Sequence, residues 1–364
     1  MSGIYPSVDH EKDNRFGRLQ TKLITFVVLP YYLSPVAYTK FWIDTEKHYG
    51  TDYGSNPSSE LKRARVDMRN KLSHLADAVK AHIHDGDTVF VGGFGQCIPF
   101  ATGQEIVRQN RKSLTLCRSG ADIFFDMLIA AGCVRKAVFG YVGNPGIGLG
   151  HAFRRAVEAG TLEVEDWTNF AMVLRLHAGA LGIPYIPAAT LVGGDLPVGV
   201  RTAPVTCPFT GEKLVAIPAL NPDVAIIHGQ FADSEGNLQL FGLSGDTADG
   251  ALASKRIVAT VEKIVPAAAI RAQPDHTIVP GFRISAVCEV PYGAHPAYVE
   301  GFYGRDDAAY MEWDKIARSA ERLNAWLDTE IRGTKSFAEY WARLDPSRIA
   351  DLVAARGREL ASAA

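Results

Sequence analysis

The feature that most restricts the fold of this chain is a regular alternation of short apolar segments and amphipathic segments, which begins near Met68. After a helix around 72–83, the predicted strands lie at 88–91, 114–117, 137–142 and 185–187, and the predicted helices at 99–108, 124–131, 152–158 and 170–181. Short apolar strands that alternate with helices of this length are typical of a parallel sheet. The sequence therefore predicts an α/β fold with an open, mostly parallel sheet and helices on both faces.

The pattern changes beyond residue 190. Apolar segments at 224–228 and 238–241 flank a turn at 233–237 and predict a hairpin, and 256–262 is a further buried strand. The segment 306–360 is helical and amphipathic, with an apolar stripe formed by Trp313, Ile316, Ala320, Leu323 and Leu327. We therefore expect C-terminal helices after the sheet.

Residues 1–67 differ from the rest because they mix aromatic residues, prolines and charges without a sustained period. The apolar run at 23–38 contains Pro30 and Pro35 and is shorter than the about 20 apolar residues that a membrane-spanning helix needs. Neither a membrane span nor a signal peptide is expected. We predict an N-terminal extension at 1–67 that packs poorly and does not belong to the native product, followed by one domain at 68–364.

The charge and the cysteine pattern exclude several classes of function. A net charge of −2 over 364 residues provides no basic surface for nucleic acid or for an anionic membrane. The five cysteines form no CxxC pair and have no spacing to histidines that suits zinc. We therefore expect no metal site, and reduced thiols in a cytoplasmic protein. The sequence has no GxSxG, Walker or HExxH motif, so serine hydrolase, P-loop and zincin mechanisms lack support.

Two glycine-rich segments follow predicted strands and are candidate ligand-binding loops. The first contains Gly92, Gly93, Phe94, Gly95 and Gln96, and the second contains Gly143, Asn144 and Gly146. Glycines let backbone N–H groups approach a ligand closely, and ligands bind at the carboxyl ends of parallel strands. For the first loop the alternative is a tight turn that binds nothing. For the second the alternatives are a plain connection and a nicotinamide-nucleotide fingerprint completed by Asp166, which its GxGxG spacing matches poorly.

Several single polar residues allow two interpretations. Asn169 stands at the start of a predicted helix, where it could be only a cap or first-turn residue, or its side-chain amide could donate to a substrate oxygen. The segment 234–237, which contains Glu235, suits a hairpin turn better than a reactive carboxylate. Three histidines have apolar neighbours and are interpreted as core or capping residues rather than catalysts, namely His177, His228 and His295.

Five segments occur in an order that is similar to one enzyme family. They are VFVGGFGQCIP at 89–99, EAGTL at 158–162 with Asn169 after it, HAGALGIP at 177–184, VAIIH at 224–228 with DSEGN at 233–237, and PYGAHP at 291–296 with GFY at 301–303. Over about residues 68–350 the chain resembles the family I CoA-transferases. Within that family it is most similar to the α subunits of the glutaconate CoA-transferase type.

The resemblance implies an open α/β fold shared with ribose-5-phosphate isomerase-like proteins, and a ping-pong reaction. A glutamate on the partner β subunit first attacks the acyl-CoA, forms an acyl anhydride and is converted to a glutamyl-CoA thioester. Coenzyme A is then a cosubstrate rather than a permanently bound cofactor, acyl-CoA and carboxylic acids are the substrates, and the β subunit is an obligate partner. The family's glutamate lies in a Ser-Glu-Asn-Gly-like segment, but no such segment follows a βα turn here, and Glu235 in the segment 234–237 sits in the wrong place. The nucleophile is therefore expected on the partner, and Asn169 is a candidate oxyanion donor.

The chain departs from the family at two positions. The family often has glutamine in place of Asn169, and the glutaconate-type enzymes have a serine near Asn144 that is absent here. A steroid-degrading branch has an acidic residue in place of Asn169, so a ring-opening acyl-CoA hydrolase subunit is one alternative to the transferase. The other alternative is a non-catalytic ligand-binding module on the same fold, although the lack of a basic patch argues against a DNA-bound regulator.

Overall fold

A computed structural model describes residues 70–353 of the chain. The predicted extension at 1–67 and the last part of the predicted C-terminal helical segment lie outside these residues. Within 70–353, no helix is both long and apolar enough to cross a membrane.

The helices and strands of the described region alternate as far as residue 188. The strands are β1 Thr88–Val91, β2 Leu114–Ala121, β3 Val134–Val142, β4 Glu163–Asp166, β5 Tyr185–Ala188, β6 Ala203–Thr206, β7 Lys213–Pro218, β8 Val224–Ala232, β9 Leu238–Gln239, β10 Arg256–Ile264, β11 Thr277–Val279 and β12 Ala286–Glu289. The α-helices are α1 Leu75–His82, α2 Phe100–Arg108, α3 Ile123–Ala130, α4 His151–Glu158, α5 Asn169–Leu181, α6 Leu196–Gly199, α7 Thr247–Ala253, α8 Ala267–Ala272, α9 Asp307–Ala317, α10 Ala320–Trp326 and α11 Phe337–Ala342. A π-helix at Leu327–Arg332 follows α10.

A nine-stranded sheet forms the centre of the fold. Seven of its strands are parallel and lie in the order β12-β10-β8-β1-β2-β3-β4, while β9 and β11 extend it with antiparallel pairing beside the end of β8. The predicted parallel sheet and the predicted hairpin are therefore confirmed. The chain builds outward from β1 to β4 and then crosses to β8 on the other side of β1. The strand order thus reverses at β1, and ligands bind beyond the carboxyl ends of the strands at such a switch point.

Helices cover both faces of this sheet. Successive side chains of β1 therefore pack alternately into the hydrophobic cores on the two faces. Val89 and Val91 pack into a hydrophobic core that includes buried residues of α1, α2 and α3. Phe90, between them, packs into a second core with buried residues of α5 and α7. Because successive side chains of a strand point to opposite faces, a strand buried on both faces is apolar throughout. This explains the continuous apolar run of β1 that predicted a buried parallel strand.

The strands β6, β7, β11 and β12 were not predicted, and β5 and β4 differ from the prediction for reasons that the structure shows. β5 does not join the parallel sheet, because it pairs antiparallel with β7 in a separate three-stranded sheet of order β5-β7-β6. β4 was not predicted, since Glu163, Glu165 and Asp166 make it polar. It lies at the edge of the large sheet, where the Nζ atom of Lys136 on β3 lies 2.7 Å from a carboxylate oxygen of Glu163. An edge strand can be charged because one side faces solvent.

The predicted apolar stripe of the C-terminal segment is interrupted. Trp313, Leu323 and Leu327 are buried, but Ala320 is exposed. The reason is that α9 ends at Ala317 and a new helix begins at Ala320, capped by the Ser319 hydroxyl, which accepts from the Arg322 N–H. One helical period therefore does not extend across both helices.

Candidate active site

The loop after β1 lies at the switch point, and its first two glycines serve the fold of the loop itself. The N–H of Gly92 donates to the Ile226 carbonyl and the N–H of Gly93 to the Thr247 hydroxyl, both at 2.9 Å. Gly93 has φ +86°, and a Cβ atom there would lie 2.6 Å from the backbone oxygen of Cys97. The loop therefore requires glycine at this position. The two N–H groups that were expected to approach a ligand are used within the protein.

Gln96 also holds the loop, and it does not line the cavity described below. Its side chain is buried. The Nε2 atom donates to the carbonyls of Phe241 and Leu243, both at 2.9 Å, and Oε1 accepts from the Glu300 N–H at 3.1 Å. The expectation that Gln96 contacts a ligand therefore finds no support in the geometry, because its amide is committed to two neighbouring segments.

A cavity of about 440 Å³ opens at the carboxyl ends of β1, β2 and β3. Its lining consists of Phe94, Gly95, Arg118, Gly120, Asp122, Tyr141, Pro145, Asn169, Leu243, Tyr298, Arg305 and Tyr310. Phe94 is held there because it packs between Gly120 and Gly245, where a Cβ atom would come within 3.2 Å and 2.4 Å of its side chain. Of the first predicted loop, Phe94 and Gly95 thus reach the cavity.

Asn169 lines the cavity, and it is not the cap of its helix. Thr168 is the N-cap of α5, and its hydroxyl accepts from the Ala171 N–H at 3.0 Å. Asn169 is exposed, and its Oδ1 atom lies against Gly140, where a Cβ atom would come within 2.5 Å. Among the described residues, its side-chain amide has no hydrogen-bond partner. Asn169 is thus a first-turn residue of α5 rather than its cap, and its position is also compatible with a donor that faces a ligand.

The second predicted loop is a closed turn. Asn144 and Gly148 exchange two backbone hydrogen bonds of 2.9 Å, and the Asn144 side chain is buried and donates to the Tyr310 carbonyl at 3.0 Å. Gly143 lies beneath Tyr141, and Gly146 occupies the tip with φ +78° and open space around it. The cavity is reached by Pro145 rather than by Gly143, Asn144 or Gly146. The geometry fits a turn that shapes the cavity wall better than a nucleotide fingerprint.

Sequence reasoning missed the charged residues of the cavity. Arg118 lies within β2 and Asp122 directly follows that strand, and Arg118 Nη1 lies 3.6 Å from Asp122 Oδ1. Asp122 is the N-cap of α3, and its carboxylate accepts from the Phe124 N–H at 2.9 Å. Burial raises the pKa of the Asp122 carboxyl, and nearby Arg118 opposes that rise. A signal existed in the sequence, since polar residues within the apolar run 114–121 mark the carboxyl end of a strand.

The remaining candidates lie outside the cavity. Asp233 Oδ1 accepts from the N–H groups of Glu235 and Asn237, both at 3.0 Å, which confirms the predicted hairpin turn. His228 is buried and lies 2.8 Å from both Thr260 and Glu262. Buried His295 lies 2.8 Å from Asp306, whereas His177 is exposed and pairs with Asp249. In the described part of the chain, no group of three His, Cys, Asp or Glu side chains could hold a metal ion.

Known proteins share this fold and much of this sequence. The crystal structure of glutaconate coenzyme A-transferase from Acidaminococcus fermentans superposes with a TM-score of 0.75 and 32% sequence identity, covering 78% of this chain and 95% of that chain. A named subunit of the glutaconate CoA-transferase of the same organism is 32% identical over 302 residues, which cover 78% of this chain and 94% of that protein.

A second relative is more similar in sequence. It is a named subunit of the 3-oxoadipate CoA-transferase of Pseudomonas knackmussii, 44% identical over 278 residues, which cover 75% of this chain and 98% of that protein. The family model for coenzyme A transferases matches residues 72–290. The resemblance identified in the sequence is therefore confirmed, and this chain belongs to the coenzyme A transferase family.

Proposed function

We propose that this chain is the α subunit of a heteromeric acyl-CoA:carboxylate CoA-transferase that acts in the cytoplasm, and that the β subunit supplies the nucleophilic glutamate. The relatives from Pseudomonas knackmussii and Acidaminococcus fermentans are each named as one subunit of their enzyme, which supports the heteromeric organisation. Coenzyme A serves as cosubstrate and leaves with the product.

One observation carries this proposal. The cavity presents an amide donor, Asn169, but no free carboxylate among its described lining residues. Asp122 is buried, caps α3 and faces Arg118, so it is not available for attack on a thioester. Glu235 belongs to the turn between β8 and β9 and does not line the cavity. The described part of the cavity thus offers no carboxylate for attack, which supports a nucleophilic glutamate on the partner β subunit.

The reaction follows from a carboxylate nucleophile and a preorganised donor. The glutamate attacks the thioester carbonyl and forms a mixed anhydride, and the carbon–sulfur bond breaks to release the CoA thiolate. The thiolate then attacks the glutamyl carbonyl of the anhydride, which forms a glutamyl-CoA thioester and releases the first carboxylic acid. The second acid reverses both steps. In each attack negative charge develops on the carbonyl oxygen, where the Asn169 Nδ2 atom donates.

The two loops contribute in different ways to this site. Phe94 and Gly95 contact the substrates, whereas Gly92, Gly93 and Gln96 fix the position of that loop through the hydrogen bonds described above. Gly143, Asn144 and Gly146 hold Pro145 and the Tyr310 segment at the cavity wall. A substitution at Gln96 or Asn144 therefore affects substrate binding through the shape of its loop rather than through a lost contact with the substrate.

Mass spectrometry of the assembled complex after incubation with an acyl-CoA tests the proposal. The expected result is a covalent CoA adduct on a glutamate of the β subunit, with the α subunit unmodified. A CoA adduct on this chain would overturn it. Ring-opened product from a cyclic acyl-CoA thioester, without transfer to any acid, would instead support the hydrolase alternative.

A further inference from the structure

A second hydrogen-bond donor without a partner lines the cavity at the end of β3. Tyr141 is 45% exposed and belongs to the cavity lining. Its hydroxyl makes no hydrogen bond with a described residue. The register partner of Tyr141 on β2 is Gly120, which also lines the cavity and has no side chain. The strand β2 therefore places no side chain between Tyr141 and the cavity.

Gly143 fixes the position of this phenol ring. A Cβ atom at Gly143 would lie 2.3 Å from the Tyr141 hydroxyl oxygen and 2.8 Å from its Cζ atom. The ring therefore packs directly on the backbone of the closed turn that follows β3. Gly143 does not have a positive φ, so the space for the ring, rather than the backbone conformation, requires glycine here. A donor that is held in place by its surroundings is preorganised for a reaction.

Tyr141 and Asn169 approach the end of β3 from opposite faces of the sheet. Asn169 reaches this point from α5 and lies against Gly140, the residue before Tyr141. Successive side chains of a strand point to opposite faces. Tyr141 is on the same face as Phe139, which packs against Phe153 of α4. An acyl oxygen that lies beyond the end of β3 can therefore accept a hydrogen bond from each side.

We propose that the Tyr141 hydroxyl, positioned by Gly143, is a second oxyanion donor that acts together with the Asn169 amide when the thioester or anhydride is attacked. This inference rests on the proposed transferase function and adds a catalytic residue to it. A negatively charged acyl oxygen accepts more than one hydrogen bond, and donors that are already in place stabilise it without reorganisation. The hydroxyl alone carries this role, so the removal of one oxygen atom tests it.

The test compares Tyr141→Phe with the wild type in the assembled complex, with acetyl-CoA and succinyl-CoA as donors and glutarate, adipate and hexanoate as acceptors. For the pair that the wild type converts fastest, kcat should fall by about tenfold to hundredfold, as expected for the loss of a hydrogen bond to a charged group. KM and the melting temperature should stay unchanged, because the donor acts in the transition state and the ring is kept.

Tyr185→Phe is the matched control, since Tyr185 is also 45% exposed but lies on β5 in the separate three-stranded sheet. It should change neither kcat nor KM. An unchanged kcat in Tyr141→Phe overturns the inference. A higher KM at the same kcat also overturns it, because the hydroxyl would then contact the substrate equally before and during the attack.

Gly143→Ala disturbs the same hydroxyl without removing it. The added methyl group displaces the phenol ring, so kcat should fall in the wild-type background but no further in Tyr141→Phe. Equal losses in both backgrounds would overturn the inference that Gly143 positions the hydroxyl for catalysis.

The wild-type complex separates this inference from the proposed function. If it transfers CoA and Tyr141→Phe keeps its kcat, the transferase remains and Tyr141 is not a donor. If it only hydrolyses acyl-CoA, the transferase fails. Attack of water on a thioester forms the same oxyanion, so kcat for hydrolysis then decides the role of Tyr141 by the same comparison. If it does neither, both the function and the inference fail.

Discussion

At the start of α5, Thr168 caps the helix and the adjacent Asn169 faces the cavity. The Thr168 hydroxyl satisfies the N–H of Ala171, which is one of the donors left free at the start of α5. The amide of the adjacent Asn169 is left without a partner among the described residues and faces the cavity. In the proposed mechanism, helix stability and chemistry therefore depend on separate side chains, and single substitutions can distinguish them.

In the complex with the β subunit, we expect Asn169→Ala to lower turnover by about a hundredfold, which corresponds to the loss of a preorganised oxyanion donor worth about 3 kcal/mol. Its melting temperature should match that of the wild type. Thr168→Ala is the matched control and should lose about 1 kcal/mol of stability while it keeps its rate per folded complex. Steady-state kinetics and thermal denaturation measure both, and a reversed pattern would assign the chemistry to Thr168.

Asn169→Glu distinguishes transfer from hydrolysis at the same position. A carboxylate there cannot donate to an oxyanion, but it can act as a general base toward water. We therefore expect transfer to fall and hydrolysis of acyl-CoA to rise, followed as free CoA released without formation of a new thioester. Tests with a cyclic acyl-CoA thioester extend the measurement to ring opening. Loss of transfer without any hydrolysis would show that the residue at this position alone does not divide the two branches.

The sequence could identify Asn169 as a candidate, but it could not assign the roles of Gln96 or Arg118. Asn169 follows a strand and begins a helix, and both are local signals. The amide of Gln96 faces away from the cavity because its partners belong to segments about 145 and 204 residues away. Arg118 lies within an apolar run, where a sequence pattern predicts burial but does not reveal a cavity. Long-range contacts decide such roles, and one sequence does not display them.

At the scale of elements, the loop after β1 depends on a close approach of two backbone segments. Gly93 combines a positive φ with space too small for a Cβ atom, whereas Gly146 in the second loop has a positive φ and open space. The two glycines thus separate the cost of the backbone conformation from the cost of the clash.

Gly93→Ala should lower the free energy of unfolding by about 2–5 kcal/mol, because strain at positive φ is added to overpacking. Gly146→Ala should cost about 1–2 kcal/mol, since only the backbone conformation is disfavoured. Urea denaturation of the two variants measures the difference. Equal losses would mean that the loop adjusts to a side chain at position 93.

The start of α9 predicts a dependence of stability on pH. Asp306 caps this helix by accepting from the Ala309 N–H, and it also accepts from Arg348 and pairs with His295. Burial alone would raise the pKa of Asp306, but the hydrogen bonds from His295 and Arg348 lower it to about 2. Because this value lies below that of an unfolded aspartate, about 3.9, the contribution is complete above about pH 5 and is lost progressively as the pH falls towards 2.

Asp306→Asn should therefore be less stable than the wild type at pH 7, and the difference should shrink as the pH is lowered from 5 to 3. Urea denaturation over a pH series measures it. The control Asp307→Asn concerns an exposed carboxylate one residue later, where an ion pair contributes little. A difference between Asp306→Asn and wild type that does not change with pH would show that the ionised form of Asp306 is not the stabilising one.

Elements were predicted well where their apolar pattern is strong. β1 was predicted with the bounds that the structure shows, and α2 and α5 began within one residue of theirs. β4 was missed because it is charged, and α7 because Thr247–Ala253 contains a glycine. That glycine, Gly250, packs against Phe90, whose ring atoms would lie 2.2 Å from a Cβ atom. Tertiary packing, which local propensity does not contain, decides both elements.

At the scale of the whole molecule, the strand order places the site. The reversal at β1 leaves a gap at the carboxyl edge of the sheet. The loops after β1, β2 and β3 and the start of α5 meet there. The alternation of strands and helices predicted the sheet, but not the crossing from β4 to β8 that creates the switch point. The nucleophile remains outside this chain in the proposed mechanism, which makes activity a property of the assembly.

The purified chain should fold but transfer no CoA, and adding the β subunit should restore transfer. The reason is that Asp122, the carboxylate lining the described part of the cavity, is buried, caps α3 and faces Arg118. A spectrophotometric assay with an acyl-CoA and an acceptor acid measures the rate, and circular dichroism confirms that the isolated chain is folded.

Glu235→Ala in the complex should keep full activity, because this residue lies in a hairpin turn outside the cavity. Transfer by the isolated chain that Glu235→Ala abolishes would place the nucleophile on that turn. Transfer that Glu235→Ala leaves intact would show that the chain has another nucleophile.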